Sequence, residues 1–137
     1  MKKILLLLSI TLFAACGKDD VEAVQYSEEK GYLTTLESVK YGIVGTWRVY
    51  YNNENCQGYS QLVFDKNKYI NSYDMTCMPS SSPVSGIYEI YEENGKFYIN
   101  INDTYVDDVI LSKMEISLLN KTNLKIPQFS DIIYTRQ

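Results

Sequence analysis

The chain has 137 residues, 13 of them Lys or Arg, 17 Asp or Glu, and no histidine. The missing histidine excludes Ser-His-Asp and Cys-His catalysis and removes the commonest transition-metal ligand. The acidic balance argues against nucleic acid, which needs a basic stripe.

The chain opens with Lys2 and Lys3, then an apolar run over residues 4–14, then Ala15 and Cys16. A basic start, a short apolar stretch and small residues before a cut site predict a secretory signal over residues 1–15. The run is too short for a stable membrane-spanning helix. "FAAC", residues 13–16, resembles the bacterial lipobox, which implies lipidation of Cys16 and a membrane anchor. "GKDD", residues 17–20, resembles the export signal of surface lipoproteins in the Bacteroidetes. It implies an outer-membrane lipoprotein displayed at the cell surface; without that signal the protein faces the periplasm. Removing residues 1–15 leaves 11 basic against 17 acidic residues, a net charge of −6. The remaining 122 residues suffice for one domain with a modest core.

Residues 16–42 read as a tether and a short helical lead-in. Leu33, Leu36, Val39 and Ile43 fall at roughly helical spacing, Ser27 or Thr35 is a candidate cap, and Gly31 limits a longer helix. From residue 43 to 137 the pattern changes to short runs rich in Tyr, Ile and Val, separated by Asn, Asp, Gly and Lys. These predict strands at 46–51, 60–65, 68–74, 84–91, 96–102, 105–112, 113–120, 122–126 and 131–137. Asn94-Gly95 is a hairpin signal. Pro79, Pro83 and Pro127 fall between strands. These runs make eight or nine short strands, and the expected fold is all-β: an eight-stranded up-and-down antiparallel meander closing into a barrel. A β-sandwich is the alternative.

With Lys66 and Asn67 as turn residues, paired positions sum to 133, so Phe64 faces Tyr69 and Leu62 faces Asn71. Cys56 and Cys77 obey the same sum, which directs both to one end of the sheet. The ladder is expected to lose regularity past Tyr59 and Tyr73. In an exported chain the two cysteines are expected to pair; the alternative is two free thiols. A bridge here stabilises by about 3 kcal/mol in the chain-entropy model.

Gly45-Thr46-Trp47 after a helical lead-in resembles the Gly-X-Trp signature of lipocalins. That likeness implies that Arg136 packs across Trp47 and ties the last strand to the first. More closely, the series Gly45–Trp47, "LVFDKNKY" at 62–69, "SGIYEI" at 85–90 and "ISLLNKTNLKI" at 116–126 resembles small lipocalin-like lipoproteins of Bacteroidetes.

The chain has 13 tyrosines. Tyr51, Tyr59, Tyr69 and Tyr73 flank the cysteine loops, and Tyr88, Tyr91 and Tyr98 lie on the next hairpin. A tyrosine offers an apolar face and a polar tip, which suits a barrel mouth, a protein interface or a sugar ring. Half-buried strand packing is the better explanation of any single one, and for the cluster near the Cys56 and Cys77 loops the two readings weigh evenly. Asp103, Asp107 and Asp108 are dense enough to invite Ca²⁺, but lack the spacing and glycine turn of an EF-hand, so a solvated loop is expected and no metal. Two functions follow. One is a tethered barrel holding a small apolar or amphipathic ligand, with Tyr51, Tyr59, Leu62, Phe64, Tyr69, Tyr73 and Ile99 as candidate contacts. The other is an accessory lipoprotein presenting tyrosine-rich, disulfide-clipped loops to a protein or glycan. Neither is an enzyme; no catalytic residue and no cofactor are expected, and the barrel is expected to be monomeric.

Overall fold

A computed structural model describes residues 23–79, 82–103, 110–129 and 131–137. The expected signal segment, Cys16, Asp107 and Asp108 lie outside the described residues.

One short helix, α1 (Leu36–Ile43), precedes nine strands: β1 (Gly45–Asn53), β2 (Cys56–Asp65), β3 (Lys68–Met75), β4 (Val84–Glu93), β5 (Lys96–Asp103), β6 (Ile110–Glu115), β7 (Leu118–Leu119), β8 (Asn123–Lys125) and β9 (Tyr134–Arg136). Thr35 caps α1, its side chain accepting from the Ser38 N–H at 3.2 Å. Val39 and Ile43 are fully buried, and Leu33 and Leu36 pack against the same core. Gly31, at φ 61, ends a bridged turn from Ser27 and keeps that segment out of the helix.

All nine strands form one antiparallel sheet in the order β6-β5-β4-β3-β2-β1-β9-β8-β7. Sequence neighbours pair everywhere except β6 with β7, which form the two edges, and β9 joins β1 through Trp47↔Arg136 and Arg48↔Thr135. The strand count is nine, not eight, and the sheet is a curled half-barrel, not a closed barrel. The physical reason lies at residues 113–118. The sequence pattern separates the runs 105–112 and 113–120, but β6 continues across that boundary and passes into β7 without a turn. The Ile116 N–H donates to Phe97 O in β5, and the next residue, Ser117, donates to Lys125 O in β8. One stretch therefore changes partners midway, and both free edges of the sheet belong to it.

The hairpins turn where short-range chemistry requires it. Asn94 and Gly95 take φ 53 and 72 between Glu93 and Lys96, and Lys66 takes φ 49 between Asp65 and Lys68. A register shift between Ile99 and Ile101 sets Lys113 at φ 56, its N–H donating to Asn100 Oδ1 at 2.8 Å.

Alternation then sorts the faces. The concave face carries Trp47, Val49, Leu62, Phe64, Tyr69, Tyr88, Ile90, Phe97, Ile99 and Ile101, all buried. Helix α1 closes one end of this core. At that end Trp47 is fully buried and its Nε1–H donates to Ile43 O at 2.7 Å, which satisfies the one polar group of its ring.

Candidate functional site

The end of the sheet opposite α1 is built by the β2–β3 register. Pairs run without a shift from Asp65↔Lys68 to Gly58↔Met75. The ladder therefore stays regular past Tyr59, which pairs with Asp74, contrary to the expected lapse. One step further, Thr76 N–H donates to Gln57 O at 2.8 Å, and Gln57 N–H to Thr76 Oγ1 at 2.9 Å. The next pair is Cys56 and Cys77, joined by a disulfide with their Cα atoms 4.8 Å apart. Asn53 Oδ1 accepts from the N–H groups of Asn55 and Cys56, which fixes the adjoining β1–β2 turn.

Register parity decides where the tyrosines go. Tyr73 pairs with Ser60, which pairs with buried Val49, so Tyr51, Ser60 and Tyr73 share the concave face and are half-buried there. Asn71 joins them; its Oδ1 is buried without a partner among the described residues. Tyr134 reaches the same region from β9. Burial raises its phenol pKa, against the lowering effect of a hydrogen bond with Ser60, and Tyr51 raises it further. Phe129, in the β8–β9 connection, stacks on Tyr69 with centroids 6.1 Å apart and planes 8° off parallel. Polar tips thus converge on the concave face at the disulfide end, beside a loop that drops an aromatic ring into the core.

The deeper candidates behave differently. Leu62, Phe64, Tyr69 and Ile99 are at most 2 % exposed and belong to the packed core. Phe64 meets Tyr88 edge-on at 5.1 Å and Tyr69 at 5.5 Å. Of four surface clefts of about 200 to 360 Å³ among the described residues, none is lined by Leu62, Phe64 or Ile99. Burial pushes the Tyr88 phenol up to about 12, with the Asp65 charge adding to it.

Tyr59 sits on the other side of the sheet from Tyr51 and Tyr73. It pairs with exposed Tyr50, and its ring carries the Arg48 guanidinium 4.5 Å from the centroid. Arg48 Nε–H also donates to Gln61 Oε1 at 2.6 Å, and Tyr50 hydroxyl to Gln137 Oε1 at 3.0 Å. The hydrogen bond with Tyr50 raises the Arg48 pKa further above its usual value. This convex patch was not singled out in the sequence, although counting residues by twos from Trp47 places Arg48 and Tyr50 outward. The same count would have added Ser60 and Asn71 to the inward set.

At the α1 end, the Arg136 guanidinium lies 4.2 Å from the Trp47 ring centroid. Its Nη1 donates to Val44 O at 2.9 Å and its Nη2 to Gly42 O. These carbonyls lie at the C-terminal end of α1, where a cation is favoured. Gly45 makes this possible. It takes φ +144, and a Cβ there would stand 2.8 Å from Arg136 Nη1.

No family model matches the chain, and no curated protein or solved structure matches it.

Proposed function

We propose that the chain is a non-enzymatic binding lipoprotein, anchored through Cys16 at the bacterial outer membrane, that engages its ligand at the disulfide end of a lipocalin-like sheet. One observation supports this above the others. The half-buried polar side chains Tyr51, Ser60, Asn71 and Tyr73 gather on the concave face at that end, while the residues beneath them are packed solid. Binding at this end is shallow, between tyrosine faces and polar tips, and not in a deep lumen. An amphipathic small molecule or the end of a glycan has the matching chemistry. The Cys56–Cys77 bridge holds the two adjoining loops in place and lowers the ordering cost of binding.

The N-terminal part of the reading rests on the lipobox-like "FAAC" and the acidic stretch after it. Native mass spectrometry of residues 17–137, exported to a periplasm and purified gently, tests the binding part. The expected result is a small co-purifying mass that dissociates on activation and is lost in Tyr73→Ala. An apo mass that stays apo after exposure to membrane extract and to glycan mixtures overturns ligand binding at this end.

A further inference from the structure

A surface cleft lies at the α1 end of the molecule, opposite the disulfide. It encloses about 360 Å³ and is lined by Tyr32, Tyr41, Val44 and Arg136. We propose that this cleft binds a small organic anion with a flat apolar body, of the aryl-carboxylate class.

The charge comes first. Arg136 is permanently cationic. Its guanidinium has five N–H donors, and two carbonyls take up Nη1 and Nη2. Its Nε is buried with no partner among the described residues. The ion pairs among the described residues are Lys40–Glu37, Lys96–Glu115 and Lys113–Glu93; none includes Arg136. Arg136, a fixed cation with no ion-pair partner among the described residues, lines the cleft, and Nη1 and Nη2 each keep a second N–H beyond the one given to a carbonyl. A carboxylate is the group that a planar guanidinium recognises best.

The walls come second. Tyr32 and Tyr41 stand at 60° with ring centroids 5.9 Å apart, forming an aromatic corner. Val44 supplies an aliphatic side, and both Val44 and Tyr41 are exposed. Tyr26 braces Tyr32 from behind at 5.0 Å, and Lys121 covers Tyr26 at 4.6 Å. The corner depends on Gly42, because any Cβ there would lie 2.4 Å from Tyr32 Cγ. Helix α1 therefore gives up a side chain where the ring lies against it. A flat ring fits between Tyr41 and Val44 while its carboxylate meets Arg136. A bare inorganic anion satisfies the charge and leaves the apolar walls wet.

The test is a titration of the isotope-labelled intact chain with sodium benzoate, with inorganic phosphate and benzyl alcohol in parallel. The readouts are the Arg136 Nε–H and Trp47 Nε1–H signals; Trp47 is the sole tryptophan. Benzoate is expected to shift both saturably, and the other two compounds to bind at least about tenfold more weakly. Tyr41→Ala, a change at an exposed ring, is expected to weaken benzoate about fivefold with the fold intact. Equal binding of phosphate, or of benzyl alcohol, overturns the proposal. So does a linear benzoate response, or an affinity unchanged in Tyr41→Ala. Because this cleft lies at the α1 end, either result is independent of ligand binding at the disulfide end.

Discussion

Replacing Cys56 and Cys77 together by serine isolates what the bridge does. Cys56 is half-buried and Cys77 exposed, so serine leaves neither a cavity nor a stranded polar group. The native contacts change little, and the effect acts through the unfolded chain. The bond joins residues 21 apart in sequence. Freeing a loop of that length costs about 3 kcal/mol in the chain-entropy model. Spread over the unfolding entropy of a domain this size, that is a Tm loss of about 12 °C. Calorimetry of the variant and of the parent at neutral pH measures it. Hydrogen exchange adds the location: the Gln57 and Thr76 amides, which close the ladder beside the bridge, lose protection first. A loss below about 1 kcal/mol refutes the argument, because the β2–β3 hairpin then persists in the unfolded chain without its clip. A large loss with an altered near-UV spectrum refutes it differently, by locating the effect in native packing.

Two other expectations follow from single side chains. The Tyr88 phenol titrates near 12 in the folded protein against 10 in the unfolded one. Its protonated form is favoured by folding, so its contribution is complete below pH 10 and is lost as pH rises from 10 towards 12, by about 2–3 kcal/mol at most. Tyr88→Phe flattens the alkaline limb of a stability–pH curve; an unchanged limb counts against that assignment. Gly45→Ala forces a side chain into φ +144 and against a guanidinium pinned at Gly42 and Val44, with a loss of about 2 kcal/mol or more. Urea denaturation followed by Trp47 emission reports it, and a loss under about 0.5 kcal/mol would show that Arg136 moves aside freely.

Much of this architecture is written locally. Asn94-Gly95, the Lys66-Asn67 turn and the Thr35 cap each act within a few residues, and the sum-to-133 register follows from one turn. Runs rich in Tyr, Ile and Val between turn residues mark the strands, and α1 shows its apolar stripe at Val39 and Ile43. The unbroken passage from β6 to β7 was not legible. Ile116-Ser117 carries no turn residue, and alternation says which face a side chain takes but not which strand the backbone pairs with. The convex placement of Tyr59 was legible from parity but masked by grouping tyrosines by proximity to the cysteine loops. The α1-end cleft was not legible at all, because it depends on Gly42 meeting Tyr32 and on Gly45 meeting Arg136 across the fold.

The ladder between β1 and β9 joins Trp47 to Arg136, across nearly the whole described chain, through two residue pairs. Every other ladder joins strands adjacent in sequence. Hairpins of that kind form in microseconds, whereas bringing distant segments together pays its loop-closure entropy before any contact repays it. The order of folding events is therefore set by topology. The β1–β6 meander and the β7–β9 unit are expected to organise first, with their docking through Trp47 and Arg136 as the slow step. Destabilising changes at that seam are therefore expected to slow folding in stopped-flow refolding, and a change in the unfolding rate alone would place the seam after the barrier and refute this order.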